Sequence, residues 1–549
     1  MKLLGRGISV LLFAAAALWS RSAAAASCES LASLHLPDTT ITVAALVAAG
    51  AFDPPGPTPP IDTSACRVAG IIKPTSDSSI VFEVWMPAAG WNGKFLSAGE
   101  GGYAGAVNYG GIANALRRGY AGGSTDTGHP VGTADFAPGH PEKVTDFGWR
   151  AKHLQAARSK DIIRAFYGRR IAHSYFSSCS NGGRQALMEI QRFPEDYDGV
   201  LVGAPAHDWT HLFAGFIWNE QALFNTAGAY LTASKLAAIQ AATLATCDAL
   251  DSVKNDGVVE DPRRCTFDPA SIACPAATDG PSCLTPAQVT AARKIMGGAR
   301  NPRTGDQIFP GWFASAAAAP GAWGAWITGP AVPGASIQAF FGNGYFGRFI
   351  HEIPPPGVWD FSTFNFDTDM ASADAKPVGG ALTMNAIDPE LGDFRRANRQ
   401  GKIIQWHGWE DPAISALSSV DYYNEVVAAN PDAREFYRLF MAPGMLHCGG
   451  GPGPNSFGQS LPQARPLDPS AQNDILSALE RWVEEGVPPK RIVAVKYVND
   501  QPAQGIVRTR PLCAYPRTAV YRGSGSTDDA ANFDCRKPEH NGGDDGDDD

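Results

Sequence analysis

The chain has ten cysteines but no Cys-x-x-Cys pair, which disfavours structural zinc and thioredoxin-like redox chemistry. Beyond its N-terminus no stretch approaches the roughly 18 uninterrupted apolar residues of a membrane span. Positive charge is not in excess. The formal net charge is −10, which argues against a nucleic-acid backbone as partner. Internal repeats and low-complexity blocks are missing, apart from an acidic tail at 544–549, read as a solvating end. There is no strict Gly-x-Ser-x-Gly and no loop with EF-hand spacing. What remains is a globular composition, 44% hydrophobic and 18% charged over 549 residues, with material for a large core. Length alone suggests about three domains.

The N-terminus reads as an export signal. Lys2 and Arg6 precede an apolar run at 8–19, and Ala24-Ala25-Ala26 offers a small-residue cleavage site. Residues 1–26 would then be removed, leaving a mature chain with no membrane association and a secreted or periplasmic location. An even cysteine count fits that route, because exported chains build disulfide frameworks. Connectivity does not follow from sequence alone. Proximity favours Cys28–Cys66, Cys247–Cys265, Cys274–Cys283 and Cys513–Cys535, which leaves Cys179 and Cys448 for each other.

Three regions separate by pattern. Residues 27–207 alternate strands, at 80–85, 94–97, 173–178 and 199–203, with helical stretches such as 184–192. That rhythm predicts an α/β sheet with parallel strands. From 208 to 396 the rhythm breaks into Gly, Pro, cysteine and aromatic clusters, as expected of an inserted lid domain. From 397 to 549 it returns, with strands at 402–406 and 435–441 and a helix at 471–483.

Chemistry concentrates where strands end. Ser178-Cys179-Ser180-Asn181-Gly182-Gly183 lies at a strand-to-helix handover, the place of a nucleophile elbow, although Ser178 stands where the first glycine is usual. A disulfide between Cys179 and Cys448 requires Cα atoms within roughly 7 Å. Ser180 and His447, the neighbours of those cysteines, would then share one small volume. The turn Gly408-Trp409-Glu410-Asp411-Pro412 supplies carboxylates between them in chain order, so Ser180 reads as nucleophile, His447 as base and Asp411 as orienter, with Glu410 as the alternative orienter. Oxyanion donors are expected from the backbone N–H of Asn181 and, in the run Gly99-Glu100-Gly101-Gly102-Tyr103, of Gly101. His407 is either a substrate contact or a structural hydrogen bond at a strand end. In the region 208–396, Phe340, Phe341, Tyr345, Phe346 and Arg348 are candidates for substrate contact, though each suits the lid core better. Between Cys247 and Cys265, three aspartates at 248, 251 and 256 suit either a hard cation such as Ca²⁺ or a solvated acidic loop.

These residues resemble the tannase and feruloyl esterase family of α/β-hydrolases. The likeness rests on Cys179-Ser180, on Asp411 within His407-Gly408-Trp409-Glu410-Asp411-Pro412, and on His447-Cys448. It extends to Trp91-Asn92-Gly93-Lys94-Phe95 and Gly203-Ala204-Pro205-Ala206, and covers about 28–535. The resemblance implies an α/β-hydrolase core with a large inserted lid, and a bridge between Cys179 and Cys448 beside the catalytic residues. It further implies a structural Ca²⁺ in the lid held by Asp248, Asp251, the carbonyl of Val253, Asp256 and the carbonyl of Val258. The chain departs from the pattern at Asn255, a one-residue insertion, at Ser252, where glycine is usual, and at Glu100, which interrupts the glycine run. The expected activity is hydrolysis of small aromatic esters of the feruloyl type, with gallate esters and terephthalate monoesters as alternatives. A non-catalytic binding protein on the same fold and a peptidase of related fold are the competing classes.

Overall fold

The computed structural model describes residues 26–55, 58, 60–397, 401–460 and 464–537. Of the segment 1–26 read as an export signal only Ala26 falls within it, and the acidic tail lies outside the described residues.

A nine-stranded sheet forms the frame. Its strands are β1 (Thr39–Val47), β2 (Ala65–Ile72), β3 (Ile80–Pro87), β4 (Lys94–Ala98), β5 (Ala121–Thr125), β6 (His173–Cys179), β7 (Gly199–Gly203), β8 (Lys402–Gly408) and β9 (Tyr437–Ala442). Their spatial order is β1-β2-β3-β5-β4-β6-β7-β8-β9. From β5 to β9 every neighbour is parallel. The expectation of parallel strands holds there and fails for β1, β2 and β3, which pair antiparallel with one another and with β5. Only residues 73–79 join β2 to β3, too few for a parallel crossover, which needs a dozen or more residues; the longer connections into β2 and β5 carry no such limit.

The central strands read as near-continuous apolar runs because helices cover both faces of the sheet. All seven residues of β8 and all five of β7 are buried. One face packs Phe95, Phe176, Leu187, Val200 and Val202, and the other packs Tyr175, Leu201, Ile404, Trp406 and Trp482. Two helices brace the active edge of the sheet: α1 (Ala151–Tyr167) and α2 (Asn181–Arg192). Helix α2 starts directly off β6, and two glycines let it sit there. A Cβ at Gly182 would lie 2.0 Å from Ser178 Oγ, and one at Gly183 would lie 2.4 Å from the carbonyl oxygen of Gly203.

Parallel register brings the C-terminal ends of β6, β7, β8 and β9 to one edge, where an open α/β sheet presents its crevice. Residues 208–396 add no strand to this sheet among the described residues. They form helices, among them α3 (Trp209–Phe224) and α4 (Ile337–Gly344), and one short antiparallel pair, Ala299–Arg300 with Gln307–Phe309. Trp209, Phe213, Trp312, Trp323, Tyr345 and Phe349 belong to an aromatic core that this region shares with Tyr103, Phe136, Phe147 and Ile414. After β9 the chain forms two hairpins, Arg491–Tyr497 with Ile506–Cys513 and Thr518–Tyr521 with Phe533–Arg536.

The ten cysteines form five disulfides, in the pairing that proximity favours: Cys28–Cys66, Cys179–Cys448, Cys247–Cys265, Cys274–Cys283 and Cys513–Cys535. Among the described residues no helix is long and apolar enough to cross a membrane.

Gly183→Ala should lower stability by about 2–3 kcal/mol, since the atom it would meet is backbone and cannot rotate away. Urea unfolding checks this, with the midpoint as the readout.

Candidate active site

Ser180 is the hinge between β6 and α2, and its backbone is held at φ 67° and ψ −127°, a conformation that costs a non-glycine residue about 1–3 kcal/mol. Three backbone bonds fix it: Ser180 N–H donates to Gly203 O at 2.9 Å, and Ser180 O accepts from Arg184 N at 3.1 Å and Ala206 N at 3.2 Å. The preceding residue, Cys179, is bonded to Cys448 with a Cα–Cα distance of 6.0 Å. The geometry thus brings together the residues that the two dipeptides point to. His447 Nε2 accepts from Ser180 Oγ at 3.0 Å, and Nδ1–H donates to Asp411 Oδ2 at 2.7 Å.

Asp411 is saturated with donors. Its Oδ1 accepts from the N–H groups of Ala413 at 2.8 Å and Ile414 at 2.9 Å, in the turn after β8. Burial works to raise its pKa. The charge of His447 and the hydrogen bonds from His407 and His447 outweigh burial and hold the carboxyl well below the usual carboxylate range. An orienter that stays ionised can stabilise the imidazolium that forms when Ser180 gives up its proton.

Two alternatives in this turn resolve. His407 is fully buried and does not reach a substrate. Its Nε2–H is shared between Asp411 Oδ2 at 3.2 Å and Ile414 O at 3.1 Å, while Nδ1 accepts from Ser419 Oγ at 2.7 Å. It is a second donor that fixes the orienter. Glu410 turns away from His447 toward the lid region, accepting from Ser315 Oγ and from Ala316 N at 3.1 Å. Burial raises its pKa to about 7.

Asn181 opens α2, so its N–H has no intrahelical acceptor. Gly101 lies in the turn after β4, and the direction a Cβ would take there is open space. The side chain of Asn181 is fastened by Arg184, whose Nε donates to Asn181 Oδ1 at 2.8 Å. The remaining guanidinium donors of Arg184 go to the carbonyls of Gly148, Met384 and Phe147.

A pocket opens beside Ser180 and Asn181, lined by Gly102, Ala206, Trp209, Leu212, Phe213, Phe216, Trp326, Phe341, Ala413 and Ile414. No charged side chain is among them. Trp326 sets its ring edge-on to His447 at a centroid distance of 5.1 Å. Of the five contacts expected in the lid region, Phe341 lines the pocket and four do not: Phe340 is exposed, Tyr345 is buried with its hydroxyl 2.8 Å from Thr210 Oγ1, and Phe346 and Arg348 lie elsewhere. Phe346 is fully buried in the lid core between Trp359 and Phe364. Arg348 is used up by Asp135 at 2.7 Å and by the carbonyls of Ile353 and Gly357. Sequence reasoning missed Trp209, Phe213 and Trp326, since aromatic residues in a lid carry no signal that separates wall from core.

The acidic loop closes on a cavity of about 20 Å³, room for one small ion or water, lined by Asp251, Val253, Asp256, Val258 and Glu260 among others. Burial pushes Asp251 up to about 6 and Glu260 up to about 8, so the site gathers carboxyls that a cation would favour as carboxylates. Asp248 does not line it. Its two oxygens accept the N–H groups of Asn255 at 2.9 Å and Gly257 at 3.0 Å and so shape the loop. Glu260, absent from the expected set, takes the place beside Asp251. Asp256 already meets Arg508 at 3.0 Å and Arg510 at 2.9 Å. The residues present fit a hard cation, with part of their charge offset from within the chain.

A family model described as "Tannase and feruloyl esterase" matches residues 66–536. An uncharacterized esterase of Xanthomonas campestris pv. campestris is 45% identical, over 96% of this chain and 95% of that protein. The mono(2-hydroxyethyl) terephthalate hydrolase of Piscinibacter sakaiensis is 32% identical, over 86% of this chain and 85% of that one. Among solved structures, feruloyl esterase B from Aspergillus oryzae superposes with a TM-score of 0.83 at 29% identity, covering 93% of this chain and 99% of that chain.

The two carboxylates of the turn should behave differently. Asp411→Asn should lower kcat by about 10⁴-fold, as expected when the imidazole loses its orienting anion. Glu410→Gln should leave kcat near the wild-type value and change the pH dependence of stability instead. Glu410 has its folded pKa raised from 4.5 to about 7, so the unfolded chain loses this proton first as pH rises. Stability therefore falls between about pH 4.5 and pH 7, by about 3 kcal/mol in total, and then levels off. Thermal midpoints of the Gln variant should match wild type at pH 4 and exceed it at pH 8.

Proposed function

The chain belongs to the tannase and feruloyl esterase family and is a carboxylic ester hydrolase, and from that premise we propose that it cleaves neutral aromatic esters of the hydroxycinnamate (feruloyl) type through a covalent acyl-enzyme on Ser180. The observation that carries this reading is the hydrogen-bonded series Ser180–His447–Asp411 opening onto an uncharged aromatic pocket. Ser180 Oγ passes its proton to His447 Nε2 as it bonds to the ester carbonyl carbon. The carbonyl oxygen becomes an oxyanion, which the N–H groups of Gly101 and Asn181 receive. The alcohol then leaves with the proton from His447. Water, deprotonated by the same nitrogen, attacks the acyl carbon and releases the acid, and Ser180 recovers its proton.

The lining selects among aromatic acids. A terephthalate monoester, the class named for the Piscinibacter sakaiensis relative, carries a carboxylate into the acyl pocket and needs a cation there. Arg184, His211 and Arg348 are cations near the wall residues in sequence, and all three are committed, to carbonyls, to Asp208 and Asp374, or to Asp135. A gallate ring needs partners for three hydroxyls, which an apolar wall does not supply. A hydroxycinnamate presents a flat, largely apolar body and suits stacking on Trp209, Phe213 and Phe341. Five disulfides accord with export to an oxidising compartment, either secreted or periplasmic. A structural Ca²⁺ would be held by Asp251 and Asp256 with the carbonyls of Val253 and Val258. It would supply positive charge to a partly buried acidic loop.

A serine-directed fluorophosphonate should label wild type and not Ser180→Ala, and that substitution should lower kcat by at least about 10³-fold. Equal labelling of both would remove the acyl-enzyme reading and favour a binding protein. In a panel of methyl ferulate, methyl gallate and a terephthalate monoester, kcat/KM should be highest for ferulate and lowest for the terephthalate.

Chelation with EDTA should lower the thermal midpoint, and added Ca²⁺ should restore it. An unchanged midpoint, with no calcium found in the purified protein by elemental analysis, would show that Arg508 and Arg510 compensate the loop without help.

A further inference from the structure

Glu100 interrupts the glycine run that supplies the second oxyanion donor, and its side chain goes inward. The residue is 3% exposed, and Lys152, on α1, is 2% exposed. Glu100 Oε1 accepts from Lys152 Nζ at 3.0 Å, from Ser124 Oγ at 2.7 Å and from Thr125 N at 3.1 Å. Lys152 Nζ also donates to Ala98 O, the last carbonyl of β4, at 2.5 Å. On the main chain, Glu100 N–H donates to Gln185 Oε1 of α2 at 3.0 Å, and Asn108 Nδ2 donates to Gly99 O at 2.7 Å. The residues just ahead of Gly101 are therefore tied to β4, β5, α1 and α2 at once.

The same segment lies against the elbow. A Cβ at Gly99 would be 2.8 Å from Ser178 Cβ and 2.9 Å from Gly182 Cα, and one at Gly182 would be 3.3 Å from Glu100 O. On the far side of Gly101, Tyr103 O accepts from His129 Nε2–H at 2.6 Å, and Tyr103 Oη–H donates to Phe341 O at 2.6 Å. Gly101 and Gly102 span two anchored ends, in a turn that Ala104 N–H closes by donating to Gly101 O at 2.8 Å.

We propose that Glu100 and Lys152 are positioning residues for the oxyanion hole: a buried ion pair sets where the Gly101 N–H points relative to that of Asn181. The physical need is plain. Backbone donors stabilise a developing oxyanion only if they are already aimed at it, because reorganisation during the reaction cancels the gain. A turn of consecutive glycines has the largest conformational freedom a backbone can have. Glu100 removes that freedom one residue away from the donor, on a side chain that never meets the substrate. The inference rests on the ester-hydrolase reading and on Gly101 as donor.

The test uses Lys152→Met, Glu100→Gln and the milder Ser124→Ala, with steady-state kinetics on methyl ferulate and the second-order rate of fluorophosphonate labelling at Ser180. The expected result is a fall in kcat of about 10- to 100-fold for the ion-pair variants, and a smaller fall for Ser124→Ala. KM should stay within about threefold, and labelling should slow in the same ratio as kcat. A role in stability alone would lower the thermal midpoint and leave kcat per folded molecule unchanged, and that result overturns the proposal. If the ion-pair variants do not fold, Ser124→Ala decides: unchanged kcat and unchanged labelling overturn it. An unlabelled wild type overturns the hydrolase reading and this inference with it, whereas a labelled wild type with unaltered variants overturns this inference alone.

Discussion

The Cys179–Cys448 bond is the constraint on which the active edge depends. Its partners are 269 residues apart in sequence, and closing so long a loop removes about 5 kcal/mol of denatured-state freedom at most. More important is where the bond falls. Each sulfur belongs to a residue adjacent in sequence to a reacting group, so the covalent link fixes Ser180 and His447 to each other before any side-chain contact forms. Both neighbouring backbones are strained: Ser180 has φ 67° and Cys448 has φ 59°. Two residues with positive φ, one directly after β6 and one in the loop beyond β9, persist because surrounding structure over-determines them, and the disulfide is one part of that surround. Gly182 and Gly183 are another, since they let α2 press down on the strand that carries the elbow.

Around this clamp lie buried polar groups, several of which answer one another. Asp411 takes donors on both oxygens, from two ring nitrogens and two backbone amides. In the turn above the elbow Glu100 gathers Lys152, Ser124 and Thr125 on Oε1 alone, and its Oε2 is buried without a hydrogen-bond partner. A fully satisfied network such as that around Asp411 is rigid, which suits a site whose rate depends on donors standing ready. The acyl pocket is the opposite kind of surface, with aromatic rings and no charge. The two come from different parts of the fold: the sheet edge supplies Ser180, His447 and Asp411, and the region 208–396 supplies the aromatic rings of the pocket.

What can be read from sequence tracks physical locality. Cys179-Ser180 and His447-Cys448 announce a meeting point because a disulfide has a maximum span, and Asp411 enters through chain order. Strands β7 and β8 are legible as short apolar runs. The antiparallel direction of β1 to β3 is not, since alternation and β-branching do not encode pairing sense. His407 looks free to face a substrate in the sequence because nothing local reveals that Ser419 and Ile414 close around it. Arg348 is unreadable for the same reason: its partner Asp135 lies 213 residues away. Glu260 carries no signal at the acidic loop because its role depends on the C-terminal hairpin, where Ala519 N–H donates to it. Glu100 reads as a flaw in a glycine run, and only the arrival of Lys152 from α1 gives it a purpose.

The turn that carries Asp411 is also the point where core and lid region are tied together. Glu410 bonds Ser315 and Ala316, the carbonyl of Pro412 accepts from Gln338 Nε2 at 2.8 Å, and Trp326 lies against His447. Exchanging the region 208–396 with that of a relative is therefore not a modular graft. A transplanted lid that lacks partners for residues 410 and 412 would release the loop behind the histidine, and the chimera would lose turnover even where the new pocket holds its substrate well. Breadth of substrate range and catalytic competence are mechanically joined at three residues, so drift in one is filtered by the other.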